Sequence, residues 1–171
     1  KFKFDLEHVF IGPVKTMIKD IEAIHAEFPF DLVVADIMFF SIPLIKAKFK
    51  VPVIAAGVIP VAETPKDLYP AGLGLAPANT LLGKMKQSLL RFVTDTVIFK
   101  RPNKLFKSLL QEHGAVVPKG NVFDILYRSA DIVLQSGTPS FEYDRSDLGK
   151  NIRFAGSLLP YTNNKSTGNW F

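Results

Sequence analysis

Val14, Met17, Ile18, Ile21, Ile24 and Phe28 recur at spacings of three and four, the period of one face of an α-helix. That helical pattern runs directly into a different one. Phe30-Asp31-Leu32-Val33-Val34-Ala35-Asp36 is a short apolar run ending in a carboxylate, and Lys50-Val51-Pro52-Val53-Ile54-Ala55-Ala56-Gly57 is a second, ending in glycine. Between them, Ser41 to Phe49 has the length and composition of one short helix. The segment therefore predicts strand, helix and parallel strand, with Asp36 and Gly57 both at carboxyl ends of strands. Open α/β sheets bind their ligands at that edge.

Downstream, Gly57 to Pro77 is rich in proline and glycine and lacks periodicity, which predicts a long loop. Loops of that length inside a compact domain usually serve a function or are disordered. A long amphipathic helix follows, with Leu81, Leu82, Met85, Leu89, Phe92, Val93 and Val97 on one side, broken at Arg101-Pro102. A second helix runs through Leu105, Phe106, Leu109 and Leu110 to a helix-ending Gly114. Asn121 to Arg128 predicts a short helix, Ala130 to Gln135 a buried strand, and Ile152 to Phe154 a last short strand. The polar tail from Thr162 to Gly168 reads as a linker or frayed end. There is no internal repeat. The first clear element is a helix feeding a strand in mid-pattern, which reads as part of something larger.

Composition narrows the class. In 171 residues, 47% are hydrophobic, enough for a buried core. The apolar stretches are too short to cross a bilayer, and Lys1-Phe2-Lys3-Phe4-Asp5 is not a secretory signal, so a cytoplasmic location is expected. With no cysteine, disulfides and thiolate chemistry are excluded. The net charge of +5 could suggest nucleic acid, but the lysines are scattered on or beside helices. The densest set, Lys100 to Lys107, reads first as a solvated helix face, and no nucleic-acid partner is expected.

Among residues with chemistry, Asp36 leads. A carboxylate where a strand leaves the sheet can orient and charge-stabilise a histidine acting as general base. The structural alternative is a helix cap or a partner for a nearby lysine, although Ser41 is the better-placed cap. His8, His25 and His113 show no ligand spacing, and no metal site is implied. Gly72-Leu73-Gly74 fails the dinucleotide fingerprint, and no phosphate loop exists. Met38, Phe39, Val58, Ile59, Leu68, Tyr69, Leu73 and Leu75 sit on or near loops beyond the strand ends, where they line a pocket for a hydrophobic molecule or serve as ordinary core.

Phe30 to Asp36, Val51-Pro52-Val53-Ile54, Ser136 to Arg145, and Asn151 to Pro160 occur in order and at sensible spacing. With these segments the chain resembles the UDP-dependent glycosyltransferases of the two-domain GT-B fold, the group that includes macrolide glycosyltransferases and glucuronosyltransferases. The resemblance covers roughly residues 10 to 161. It implies a Rossmann-like parallel sheet with helices on both faces. Residues 1–161 would be an amino-terminal acceptor-binding domain lacking its first strands, followed by a tail over 162–171. Asp36 matches the family's aspartate, whose partner histidine would lie upstream of Lys1. The resemblance also implies acceptor contacts at Met38, Phe39, Gly57, Val58, Ile59, Leu68, Tyr69, Leu73 and Phe92. A UDP-sugar would be the co-substrate and a small hydrophobic alcohol the acceptor, in an inverting, metal-independent reaction. No cofactor is held by this chain, and the donor-binding domain would be a separate, carboxyl-terminal partner, so the chain alone is expected to be inactive.

Asp144 and Gly149 stand where the family favours proline, and Arg145, Glu142 and Asp147 read as local ion pairs near the domain exit, weak if exposed. Two other readings remain open: an apolar-ligand-binding domain without turnover, and a nucleotide-sugar epimerase of the same fold. Unpaired sheet edges left by missing strands predict self-association.

Overall fold

The computed structural model describes residues 1–70 and 73–157. The chain opens with a helical segment, α1 (Phe2–Asp5), which continues in π-helical geometry over Leu6–Ile11, and then enters α2 (Val14–Glu27). Strand β1 (Val33–Asp36), helix α3 (Ile42–Phe49) and strand β2 (Val53–Gly57) form the expected parallel crossover unit. After the long loop come α4 (Leu81–Val93), a π-helical turn Thr94–Ile98, α5 (Lys100–Glu112) and α6 (Val122–Ser129). Strands β3 (Ile132–Ser136) and β4 (Ile152–Gly156) complete a four-stranded, all-parallel sheet in the order β1-β2-β3-β4. The α/β, Rossmann-like expectation holds, except that among the described residues helices cover one face of the sheet and the second face is largely open, where helices on both were expected.

Register explains the core. Val33 pairs with Val53, Ala55 with Val133, and Val133 with Ile152, so these side chains share one face of the sheet. That face packs under helices whose apolar stripes supply Ile42, Ile45, Phe106, Leu110, Ile125 and Leu126, all buried. The opposite face alternates into the open: Val34 is 69% exposed, and Ile132 and Leu134 are also exposed. The Ala130–Gln135 segment, expected to be a buried strand, is thus buried on one side only.

Local chemistry sets several boundaries. Asn121 and Asp124 form a reciprocal capping box at the start of α6, each side chain accepting from the other's end of the turn. Gly114 ends α5 with φ +68, a left-handed conformation open to glycine. The helix break lies at Phe99 rather than at Arg101-Pro102, because Pro102 falls in the first turn of α5, where its missing N–H has no intrahelical partner to lose. Asp131 ties α3 to the sheet: its carboxylate accepts from Lys46 at 2.6 Å and from the Val53 N–H at 2.8 Å. Burial alone would raise the Asp131 carboxyl, but these bonds hold it below the usual range.

The largest departure from the sequence pattern concerns α4. Its periodic face, Leu81, Leu82, Met85, Leu89 and Phe92, points away from the protein, each side chain between 61% and 83% exposed. Gln87, on the other side, is buried. The inward side is held by hydrogen bonds: Gln87 Nε2 donates to the Asp67 carbonyl at 3.1 Å, and Arg91 donates to the Leu68 carbonyl at 2.8 Å.

Candidate functional site

Asp36 is the last residue of β1, paired in register with Ala56. Pleat alternation places it on the open sheet face, exposed to solvent. Its Oδ1 accepts the Met38 N–H at 2.7 Å, which closes the turn leaving the strand. Neither structural alternative is realised among the described residues. Ser41, not Asp36, occupies the cap position of α3, although its hydroxyl makes no capping bond, and no lysine pairs with Asp36. The second carboxylate oxygen makes no hydrogen bond among the described residues, so it can receive a proton donor from outside.

Around Asp36 the surface is apolar. Val9, Phe10, Met17, Met38, Phe39 and Phe40 line a cleft of about 270 Å³ with Asp36 on its wall. A shallower groove of about 510 Å³ adjoins it, with Ile24, Phe28, Leu32 and Val34 on its floor and Asp36 again on its rim. Two predicted acceptor residues, Met38 and Phe39, meet Asp36 in the cleft. The others are placed elsewhere: Val58, Ile59 and Leu73 are exposed on the long loop, Leu68 and Tyr69 are half-buried there, and Phe92 lies on the outer face of α4. The contribution of Val9, Phe10 and Met17 was not signalled by the sequence, because helix periodicity says which residues share a face but not what that face meets.

Gly57 ends β2 beside Asp36's strand, and it is buried against the Gln135 carboxamide. A Cβ at this position would overlap Gln135 Oε1. Gln135 Nε2 in turn donates to the Ile59 carbonyl at 2.5 Å and fixes where the loop departs. Gly57→Ala is expected to push the carboxamide off that bond and cost about 1–3 kcal/mol. Chemical denaturation would read this as a lower midpoint, and an unchanged midpoint would show that the carboxamide has room to move.

The histidines sit apart from this chemistry. His25 is wedged between the rings of Phe30 and Phe49 at 4.6 and 4.7 Å, His8 stacks on Phe4, and His113 caps the end of α5. None bonds Asp36 among the described residues. Asp95 has a carboxyl raised chiefly by burial, against the lowering bond from Asn121. The cavity it faces is only about 30 Å³, room for a single water rather than a substrate. Among the described residues no group of three His, Asp or Glu side chains could hold a metal ion, and no helix is long and apolar enough to cross a membrane.

Residues 61–66 of the long loop form a strap tied down by hydrogen bonds. Val61 N–H donates to Glu142, Ala62 N–H to the Tyr127 hydroxyl oxygen, Thr64 N–H to Asp124 and Lys66 N–H to Asp147. Burial pushes the Tyr127 phenol up to about 12. From the opposite side Arg145 donates to the Glu63 carbonyl at 2.9 Å and to Asp147 at 3.0 Å, and Arg128 donates to Glu63 Oε1 at 3.1 Å. The Arg145 and Glu63 side chains are each only 6% exposed. The expected local ion pair forms between Arg145 and Asp147, but it is largely buried rather than exposed, and Arg145, Glu142 and Asp147 also anchor the loop, with Glu142, Asp124 and Asp147 satisfying its backbone donors in place of a strand partner.

The tail over 162–171 and the segment Leu158-Leu159-Pro160 lie outside the described residues. No family model matches the chain. It is 28% identical over 151 residues to 4'-demethylrebeccamycin synthase of Lentzea aerocolonigenes, a match covering 88% of this chain and 36% of the relative. It is 35% identical over 98 residues to UDP-glucosyltransferase 1 of Beauveria bassiana, covering 55% of this chain and 21% of the relative. UDP-glycosyltransferase 2 of Phaeomoniella chlamydospora matches at 29% over 116 residues, 65% of this chain and 25% of the relative. The chain thus spans little more than a third, or less, of the curated relatives it matches. At this modest identity, and with an α/β parallel sheet beneath it, the sequence is consistent with part of a UDP-glycosyltransferase.

Proposed function

We propose that this chain is the acceptor-binding part of a glycosyltransferase that moves a sugar from a UDP-sugar to a hydroxyl of a small hydrophobic acceptor, with inversion and without a metal ion. The observation that carries the reading is the placement of Asp36: an exposed carboxylate at the carboxyl end of a parallel strand, one oxygen held by the Met38 N–H, on the wall of an apolar cleft. A hydrophobic acceptor lies in that cleft against Met38 and Phe39 and extends into the adjoining groove, since the cleft alone is at the small end for a ligand pocket. The loop residues Val58, Ile59, Leu68, Tyr69 and Leu73 line neither the cleft nor the groove, so the acceptor contacts proposed here rest on Met38 and Phe39.

The base is a histidine supplied from outside residues 1–171. It takes the acceptor hydroxyl's proton as the acceptor oxygen attacks the anomeric carbon. The bond from that carbon to the diphosphate oxygen breaks on the opposite side, and UDP leaves with the electron pair. Asp36 receives the imidazolium N–H and stabilises its charge.

The reading is tested by incubating the intact polypeptide with UDP-sugars and hydrophobic phenols in the presence of a chelator. The expected product is a glycoside whose anomeric configuration, read by NMR, is inverted from that of the donor. A retained configuration, or dependence on added metal, would overturn the mechanism. Phenol binding with no transfer from any UDP-sugar would replace it with a storage or presentation role.

A further inference from the structure

The outward apolar face of α4 points to a second binding surface. Leu81, Leu82, Met85, Leu89 and Phe92 form one continuous stripe over three turns, at the spacing a helix uses to bury a face. Single exposed leucines are ordinary, but a contiguous stripe of this kind marks an interaction site. The helix cannot roll the stripe inward without breaking the bonds from Gln87 and Arg91 to the Asp67 and Leu68 carbonyls. Its outward direction is therefore built in.

Charge chooses the occupant. Helical geometry puts exposed Lys84 and Lys86 along the two borders of the stripe, and α4 carries no carboxylate. From α4 through α5 there are seven basic residues, Lys84, Lys86, Arg91, Lys100, Arg101, Lys104 and Lys107, of which Arg91 is turned onto the Leu68 carbonyl and Arg101 pairs with Glu7, against two carboxylates, Asp95 bonded to Asn121 and Glu112 paired with Lys15. A second copy of the same face would bring like charge against like. A neutral apolar partner would leave the lysines unused. We propose that α4 lies in the interface of an anionic phospholipid membrane, apolar stripe in the acyl boundary and lysines at the headgroups. This placement stands independently of the transferase reading.

The test is co-sedimentation of the intact polypeptide with vesicles of phosphatidylcholine alone and of phosphatidylcholine mixed with phosphatidylserine. Binding is expected to the mixed vesicles and to weaken as salt is raised. Leu89→Asp is expected to lower partitioning by at least about tenfold. The pair Lys84→Gln and Lys86→Gln should lower it by roughly tenfold on phosphatidylserine vesicles, with little change on phosphatidylcholine alone. All three positions are exposed, so thermal melting should match the parent chain. Parent-like binding by both variants would overturn the proposal. So would the absence of binding to phosphatidylserine vesicles, or a concentration-dependent dimer that Leu89→Asp dissociates, which would assign the stripe to a second copy.

Discussion

Asp36→Asn, made in the intact enzyme, is expected to lower turnover on the order of 10³- to 10⁴-fold while leaving the acceptor KM nearly unchanged. The size follows from what the carboxylate does. In the proposed mechanism the base histidine becomes a cation in an apolar cleft as it takes a proton, and a neighbouring anion would lower that cation's free energy where a neutral amide cannot. An amide also fails to hold the imidazole in the tautomer that presents its basic nitrogen to the acceptor. The substitution is mild for the fold, since the carboxamide oxygen it introduces can still accept the Met38 N–H and the site is exposed. Turnover and stability should therefore separate: activity collapses and the melting temperature stays. Turnover within about tenfold of the parent would remove Asp36 from the mechanism. A rise in acceptor KM with constant turnover would make it a binding residue instead.

What the sequence disclosed and what it concealed divide along the range of the interactions. Strands β1 and β2 and helix α3 were legible because each is specified within a few residues by apolar runs and their punctuation. The capping box of α6 is equally local, with Asn121 and Asp124 three residues apart. The face of α4 was legible as a stripe, but its direction was not. Periodicity finds an apolar side and assumes that it points inward, whereas here Gln87 and Arg91 decide the matter through carbonyls about twenty residues away. At the site, Asp36 could be found from its position after an apolar strand, and Met38 and Phe39 followed from adjacency. Val9 and Phe10 could not, since their approach to Asp36 depends on how the π-helical segment packs. The order of the long loop was invisible for the same reason: its composition reads as irregular, and its partners come from 60 to 82 residues further along the chain.

That strap supplies the largest expected effect on stability. Arg145→Met is expected to cost about 3–5 kcal/mol, because it removes the cation beside a buried carboxylate and leaves the Glu63 charge with less compensation. Glu63 Oε2 already lacks a hydrogen bond among the described residues and has Arg145 at 3.8 Å as one source of opposing charge, the other being Arg128 on Oε1. The same change strips a donor from the Glu63 carbonyl and a bond from Asp147. For a chain of this size the loss corresponds to a fall in melting temperature of roughly 6–20 °C. Methionine fills much of the arginine's volume, so the loss reads as electrostatic rather than as a cavity. Pairing it with Glu63→Gln separates the two directly: if the buried charge is the cause, the double variant recovers a large part of the loss, a coupling of about 1 kcal/mol or more. Strict additivity would place the cost in lost packing. If the loop is instead held mainly by its backbone donors to Asp124 and Glu142, Arg145→Met will melt within a few degrees of the parent, and the network around Glu63 would be ornament rather than anchor.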